Sequence, residues 1–216
     1  MEVSSHWPEL PDETDFQIIA QSLANNMGES RHPLPVKLFF GMLTPEPPLF
    51  DQCMDILSNE YGPLDYRSEA WSWDKTNYYR TEMGTGILRK FIFCERLIDP
   101  AKLPAIKQFT NALENTFALY GAGTLRRRIN IDPGYLTEAK VVLATTKDFS
   151  HRIYIGSDIY AEVTLRYSLR EQHFVSMDYT YPDFRSQEYM VMFNNARELL
   201  RKALHRPSSG EAHDKE

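Results

Sequence analysis

Between residues 126 and 166 the chain gathers side chains that can hold an anion and move a proton. Thr145-Thr146-Lys147-Asp148-Phe149-Ser150-His151-Arg152 brings hydroxyls, two cations, a carboxylate and an imidazole into eight residues. Hydroxyl, ammonium and guanidinium groups together suit a phosphate, and guanidinium binds it bidentately. Imidazole is the side chain that ordinarily titrates near neutrality, which makes His151 the candidate acid/base, with Asp148 or Asp132 to orient it. Arg128, Lys147 and Arg152 are the candidate anion ligands. Asn130, Asp132, Tyr160 and Glu162 complete the candidate binding set, with Asp132 and Glu162 suited to hydroxyls or a divalent ion. A plainer account competes with this one: a solvated sheet face held by cross-strand ion pairs, and a loop whose Asp148 caps a turn. Asp132-Pro133-Gly134-Tyr135 has the composition of a turn, and Asp132 is expected to hold it.

These groups can meet only if strands present them on one side. Alternation predicts that Ile159, Ala161, Val163 and Leu165 share one face of a strand, with Tyr160, Glu162, Thr164 and Arg166 on the other. Arg126, Arg128, Asn130 and Asp132 are expected on one side of an earlier strand. Upstream, 36–43 (VKLFFGML) reads as an apolar strand, followed by a helix on Leu49, Cys53, Ile56 and Leu57 that Gly62-Pro63 stops. An extended stretch over 65–82, with Tyr66, Trp71, Trp73, Tyr78 and Tyr79, leads through Gly84-Thr85-Gly86 into a strand over 87–98. Asp99-Pro100 starts a second helix, with Ile106, Phe109, Leu113, Phe117 and Tyr120 on one face and Gly121 at its end. A strand over 127–132 follows. The expected class is α+β: a ferredoxin-like βαββαβ unit over about 36–132, whose last strand lies at an edge. Strands near 140–147, 151–155, 159–167 and 173–177 then form a largely antiparallel meander, extending that sheet or making a second unit over 133–205. A final helix over 184–204 buries Tyr189, Phe193, Ala196, Leu200 and Ala203, with Thr180 or Asp183 at its N-terminus.

Of the 216 residues, 42% are hydrophobic and 25% charged, an ordinary soluble composition that supports one domain of moderate size over 35–205. Residues 1–34 hold six acids against one base and read as a flexible leader; 206–216 reads as a disordered tail. Acids and bases are equal in number over 35–205, so a general nucleic-acid surface is not expected, although Arg126-Arg127-Arg128 is a basic run. No apolar run approaches the roughly 18 residues that span a bilayer, and the N-terminus lacks a signal pattern, so a cytoplasmic protein is expected. Cys53 and Cys94 read as buried free thiols.

The blocks PVKLFFGML (35–43), RRRINIDPGYL (126–136), KVVLATTKDFSHRIYIG (140–156), IYAEVTL (159–165) and YTYPDFR (179–185) resemble a bacterial family, domain of unknown function 4416. The resemblance covers roughly residues 35–204 and implies no catalytic assignment. A nucleotide-binding label sometimes attaches to such proteins, but the residues do not carry it. Gly84-Thr85-Gly86-Ile87-Leu88-Arg89-Lys90 lacks the spacing of a P-loop and leads into a strand, and Gly121-Ala122-Gly123 follows a helix. No zinc, haem or dinucleotide motif is present, and H-E-x-x-H, paired C-x-x-C and G-x-S-x-G are absent. Cofactor and metal stay unassigned. The leading expectation is a binder of a small anionic or phosphate-bearing ligand, a nucleotide among them. The alternative is a protein-interaction module using the aromatic residues from Trp71 to Tyr79, with RNA binding through the arginine run a weaker one.

Overall fold

Val36–Thr44 forms strand β1, and all nine of its residues are buried, the pattern of a strand covered on both faces. In the computed structural model, which describes residues 31–73, 80–121 and 124–205, β1 is interior to a nine-stranded antiparallel sheet. The expected tail, the first 30 residues of the expected leader, and Tyr78 and Tyr79 lie outside the described residues. The described residues from 34 to 205 belong to one compact unit.

Helix α1 (Pro48–Tyr61) starts on proline and ends at Gly62, whose φ of 96° suits glycine. β2 (Leu64–Arg67) and β3 (Trp71–Ser72) both pair with β4 (Leu88–Ile98), and a single helical turn, α2 (Arg80–Met83), precedes β4. Asp99 caps the 3-10 turn that leads into α3 (Leu103–Phe117), accepting from the Ala101 amide at 2.8 Å. β5 (Leu119–Gly121) and β6 (Thr124–Arg126) make a separate hairpin. β7 (Asn130–Leu136), β8 (Lys140–Thr145), β9 (Ile153–Gly156), β10 (Ile159–Ser168) and β11 (His173–Ser176) continue the main sheet, and α4 (Gln187–Leu204) follows. The strand order is β11-β10-β8-β7-β1-β4-β2, with β3 also on β4 and β9 also on β10.

Helices α1 and α3 cover one face, where Leu38, Phe40, Met42 and Ile131 pack against Cys53, Leu57, Ile106 and Leu113. Helix α4 covers the other, where Phe39, Phe91 and Phe93 meet Tyr189, Phe193 and Leu200. The Phe39 and Phe193 rings meet edge-on at 5.2 Å. Each large apolar side chain so buried contributes about 1.5–3 kcal/mol. Trp71 and Trp73 also pack inward: Trp71 lies 5.2 Å from the Tyr189 ring, and Trp73 is buried. Among the described residues no helix is long and apolar enough to cross a membrane.

Several sequence expectations change. Asp132-Pro133-Gly134-Tyr135 is not a turn but the middle of β7, paired in register with Gly41, Phe40, Phe39 and Leu38. Proline is tolerated there because peptide groups alternate in direction along an antiparallel strand. Those of Ile131 point away from β1, so the Pro133 nitrogen does too, and no bond to β1 is lost. β7 is not an edge strand, since β8 pairs with it; the second half of the chain extends the first sheet. Helix α3 stops at Phe117, and Gly121 lies in β5. In β10 a bulge between Val163 and Leu165 inserts Thr164, which reverses the alternation. Ile159 and Ala161 pack with Leu103 of α3, whereas Leu165 joins the core under α4. Thr164, at the bulge, and Glu162, ahead of it, are both buried rather than on a solvated face. Ser186 caps α4, accepting from the Tyr189 amide. Asp183 binds Arg89 and Trp73 instead, and Thr180 donates to the Thr164 carbonyl.

Candidate functional site

The β7–β8 ladder runs only from Leu136 opposite Val141 to Gly134 opposite Leu143. Beyond it Pro133 has no N–H to offer, and the strands part. Two side chains of α3 occupy the opening. The Ile131 amide donates to Glu114 Oε1 at 2.7 Å, and the Ile131 carbonyl accepts from Lys107 Nζ at 3.0 Å. They satisfy backbone groups that a neighbouring strand would otherwise pair.

A cavity of about 270 Å³ lies at this opening. Helix α3 supplies Lys107, Asn111 and Glu114, β7 supplies Asn130 and Asp132, and Arg127 comes from the approach to β7. β8 and its following loop supply Thr145, Thr146 and Lys147, with Arg152 and Glu162 beside them and Arg89 reaching in from β4. Trp73, Tyr181 and Phe184 form an aromatic flank.

Asp132 accepts from Lys107 Nζ at 3.0 Å and from Asn130 Nδ2 at 2.7 Å. Burial works to raise its pKa, but Lys107 and Arg89, with the hydrogen bonds from Lys107 and Asn130, outweigh burial and hold the carboxyl below its ordinary range. Glu114 behaves oppositely. Burial pushes it up to about 7, against the pull of Lys107, the Ile131 amide and Arg127. Near neutrality Asp132 is therefore a fixed anion while Glu114 is poised to gain or lose a proton, an arrangement that separates the two roles. Arg127 donates to Asn130 Oδ1 at 2.9 Å. Arg89 donates to Asp183 Oδ2 at 2.9 Å, and Gly41 gives it room, since a Cβ there would lie 3.1 Å from Arg89 Nη1. Glu162 Oε2 accepts from Arg152 Nε at 2.8 Å and faces His151 Nε2 at 3.1 Å. The His151 ring stacks on Tyr179 at 4.4 Å.

Five of the residues singled out from sequence, Asn130, Asp132, Lys147, Arg152 and Glu162, line this one cavity. His151 is not in the lining and reaches it through Glu162. Arg128, Asp148 and Tyr160 are not in the lining either. Arg128 precedes β7, so strand alternation does not govern it, and it forks onto Glu46. Asp148 is exposed on its loop, and Tyr160 packs on Tyr154 at 5.6 Å. Asp132 and Glu162, the candidates for a divalent ion, are each engaged by cations, and the described residues hold no cluster of three or more His, Cys, Asp or Glu suited to a metal. Lys107, Glu114 and Arg89 escaped the sequence reading as site residues, and Arg127 entered it only within a basic run that could touch RNA. Lys107, Thr110 and Glu114 lie on the buried stripe of α3 with Leu103, Ile106 and Leu113. Polar residues at helical spacing within an apolar stripe were the available signal.

The family model described as domain of unknown function (DUF4416) matches residues 34–200. The chain belongs to this family. No curated protein and no solved structure matches it.

In this DUF4416 chain the Glu114 carboxyl gives stability a defined pH dependence. The native state binds its proton more tightly than the unfolded chain, whose value is near the ordinary 4.5. Stability conferred through this group is therefore present at low pH and is lost as pH rises from about 4.5 to about 7. The loss is of order 3 kcal/mol. Comparing urea midpoints of the wild type and Glu114→Gln at pH 5 and pH 8 isolates it. The difference between the two proteins is expected to shift by about that amount in favour of the variant at pH 8; a constant difference would show that Glu114 is ionised throughout.

Proposed function

We propose that this DUF4416 protein binds a small phosphate-bearing anion in the cavity beside β7 and β8, with Arg127, Lys147 and Arg152 as its principal ligands. The observation that carries the reading is convergence. Arg89, Lys107, Arg127 and the loop that carries Lys147 and Arg152 come from four separate parts of the chain and line one cavity, together with the Thr145 and Thr146 hydroxyls. At about 270 Å³ it lies at the small end of ligand sites, which typically span roughly 300–1,000 Å³. A phosphate and a short body fit; a nucleotide would leave its base outside. Glu114, poised to exchange a proton, and ionised Asp132 supply a proton carrier and a fixed anion should the ligand also react. His151 then orients Glu162 and, through it, Arg152.

A thermal-shift series on the full chain with phosphate, pyrophosphate, sugar phosphates and nucleotides tests this. At about one hundred times its Kd a ligand adds about 2.7 kcal/mol, raising Tm by roughly 5–10 °C for a domain of this size. Arg127→Ala and Arg152→Ala are expected to abolish the shift, and a panel without any shift would overturn the reading.

Two companion readings concern fold and setting. We read residues 36–132 as a ferredoxin-like unit, supported by the order β7-β1-β4-β2 and by helices α1 and α3 in the two crossovers. A cytoplasmic setting is supported by Cys53 and Cys94, both free and buried, with burial raising each thiol to about 12. The alternative function, a protein-interaction module, is supported by a shallow groove of about 370 Å³ lined by Tyr66, Trp71, Val191 and Met192.

A further inference from the structure

The carboxylates around the cavity differ in how they would meet an incoming anion. Asp132 is held by Lys107 and Asn130, Glu162 by Arg152 and His151, and Asp183 by Arg89 and Trp73. Each of the three is already hydrogen-bonded to a cationic side chain. Glu114 has no comparably close cation. Its Oε1 accepts from the Ile131 amide, with Lys107 Nζ 4.0 Å away and already bonded to Asp132 and the Ile131 carbonyl. Its Oε2 has Arg127 Nε at 3.6 Å, and that same nitrogen lies 3.6 Å from Glu82 Oε2. The other titratable groups facing Glu114 are Asp132 from β7 and the Cys53 thiol from α1. Asp132 repels a charge on it. The thiol is kept protonated by burial.

We propose that the anion enters this cavity together with a proton, which Glu114 Oε2 takes from solvent. The inference rests on the reading of the cavity as an anion site, and it narrows the ligand to a dianionic oxyanion. A dianion at Arg127 competes with Glu114 for the guanidinium and places like charge beside a carboxylate that has almost no water to screen it. Protonation removes that repulsion and turns Oε2 into an O–H donor for a ligand oxygen. One O–H bond forms on Glu114, the proton comes from buffer, and no other covalent bond changes. Because burial already brings the empty-site carboxyl to about 7, a modest further push keeps it protonated through the neutral range. Neutral sugars and cations would not provide that push.

Sulfate is the probe, since it stays a dianion across the pH range and cannot carry the proton itself. Isothermal titration of the full chain with sulfate at pH 8, in buffers of different ionisation enthalpy, is expected to show uptake approaching one proton per sulfate. Affinity is expected to fall about twentyfold between pH 6.5 and pH 8.5, as linkage to one proton requires when the empty-site carboxyl titrates at about 7. Glu114→Gln should bind sulfate with buffer-independent heat and nearly constant affinity. Wild-type binding with buffer-independent heat, or proton uptake that survives in Glu114→Gln, would overturn the inference and leave the anion site standing. Absence of sulfate binding at every pH in both proteins would overturn the anion reading and this inference with it.

Discussion

Replacing Lys107 by methionine is expected to lower stability by about 3–5 kcal/mol, read as a fall in the urea midpoint at pH 8. The Lys107 ammonium is 4% exposed as a residue and satisfies the Ile131 carbonyl and Asp132 Oδ1, each at 3.0 Å. Methionine keeps the stem and removes the charge. Asp132 then loses the strongest influence lowering its pKa, Glu114 loses its nearest amine, and the Ile131 carbonyl loses its donor. Breaking a buried pair from one side leaves an uncompensated charge, which is far worse than never having had the pair. The sign with pH follows. Asp132, held low in the wild type, contributes stability above its ordinary carboxylate range that is lost as pH falls through its native value. In Lys107→Met protonation relieves the strain, so the deficit against wild type should narrow from pH 8 to pH 5. Adding Asp132→Asn should recover part of the loss at pH 8. A deficit under about 1 kcal/mol would mean that the opening between β7 and β8 does not depend on this lysine.

Gly134→Ala is expected to cost about 3 kcal/mol, at the upper end of overpacking effects, because the obstruction is on two sides. A Cβ there would overlap the Phe39 ring, 2.7 Å from its Cε1, and would also overlap the Val142 carbonyl oxygen. The ring cannot swing aside without disturbing Phe93 and Phe193, at 5.6 Å and 5.2 Å. The carbonyl belongs to the backbone of β8, so yielding there pries apart the last joined residues of the ladder. Phe39→Leu in the same chain should therefore restore only part of the stability. Chemical denaturation of the single and double variants decides it. A single variant within about 0.5 kcal/mol of wild type would show that β7 and β8 accommodate a methyl group at this point without strain.

That glycine also shows where sequence reasoning ran out. Asp-Pro-Gly is turn chemistry by composition, and only the facing strand reveals that Gly134 answers to the Phe39 ring and Pro133 to a gap in the ladder. β1 was readable because nothing polar interrupts its apolar middle, and the convergence of Asn130, Asp132, Lys147, Arg152 and Glu162 was readable because alternation and loop chemistry are local. The bulge at Thr164 was not. Alternation continues through it in the letters while the chain steps across, so the letters assign Leu165 to the face opposite the one it occupies. Lys107 and Glu114 were hidden differently. Helical spacing identifies the stripe of α3 from its apolar members, whereas Lys107 and Glu114, which complete the site, share that stripe without sharing its chemistry.

The position of β1 also shapes how the chain is made. Its two neighbours in the sheet are β4 and β7, and β7 ends at Leu136, some 90 residues after β1 leaves the ribosome. At roughly 5–20 residues per second that interval lasts about 5–20 seconds. Throughout it, a nine-residue, mostly apolar strand with an open edge is available to other nascent chains, the circumstance in which strands aggregate. The flanks answer the hazard. Pro33 and Pro35 stand immediately before β1, and Pro45, Pro47 and Pro48 immediately after it, so intermolecular pairing that starts on the strand cannot spread along the chain in either direction.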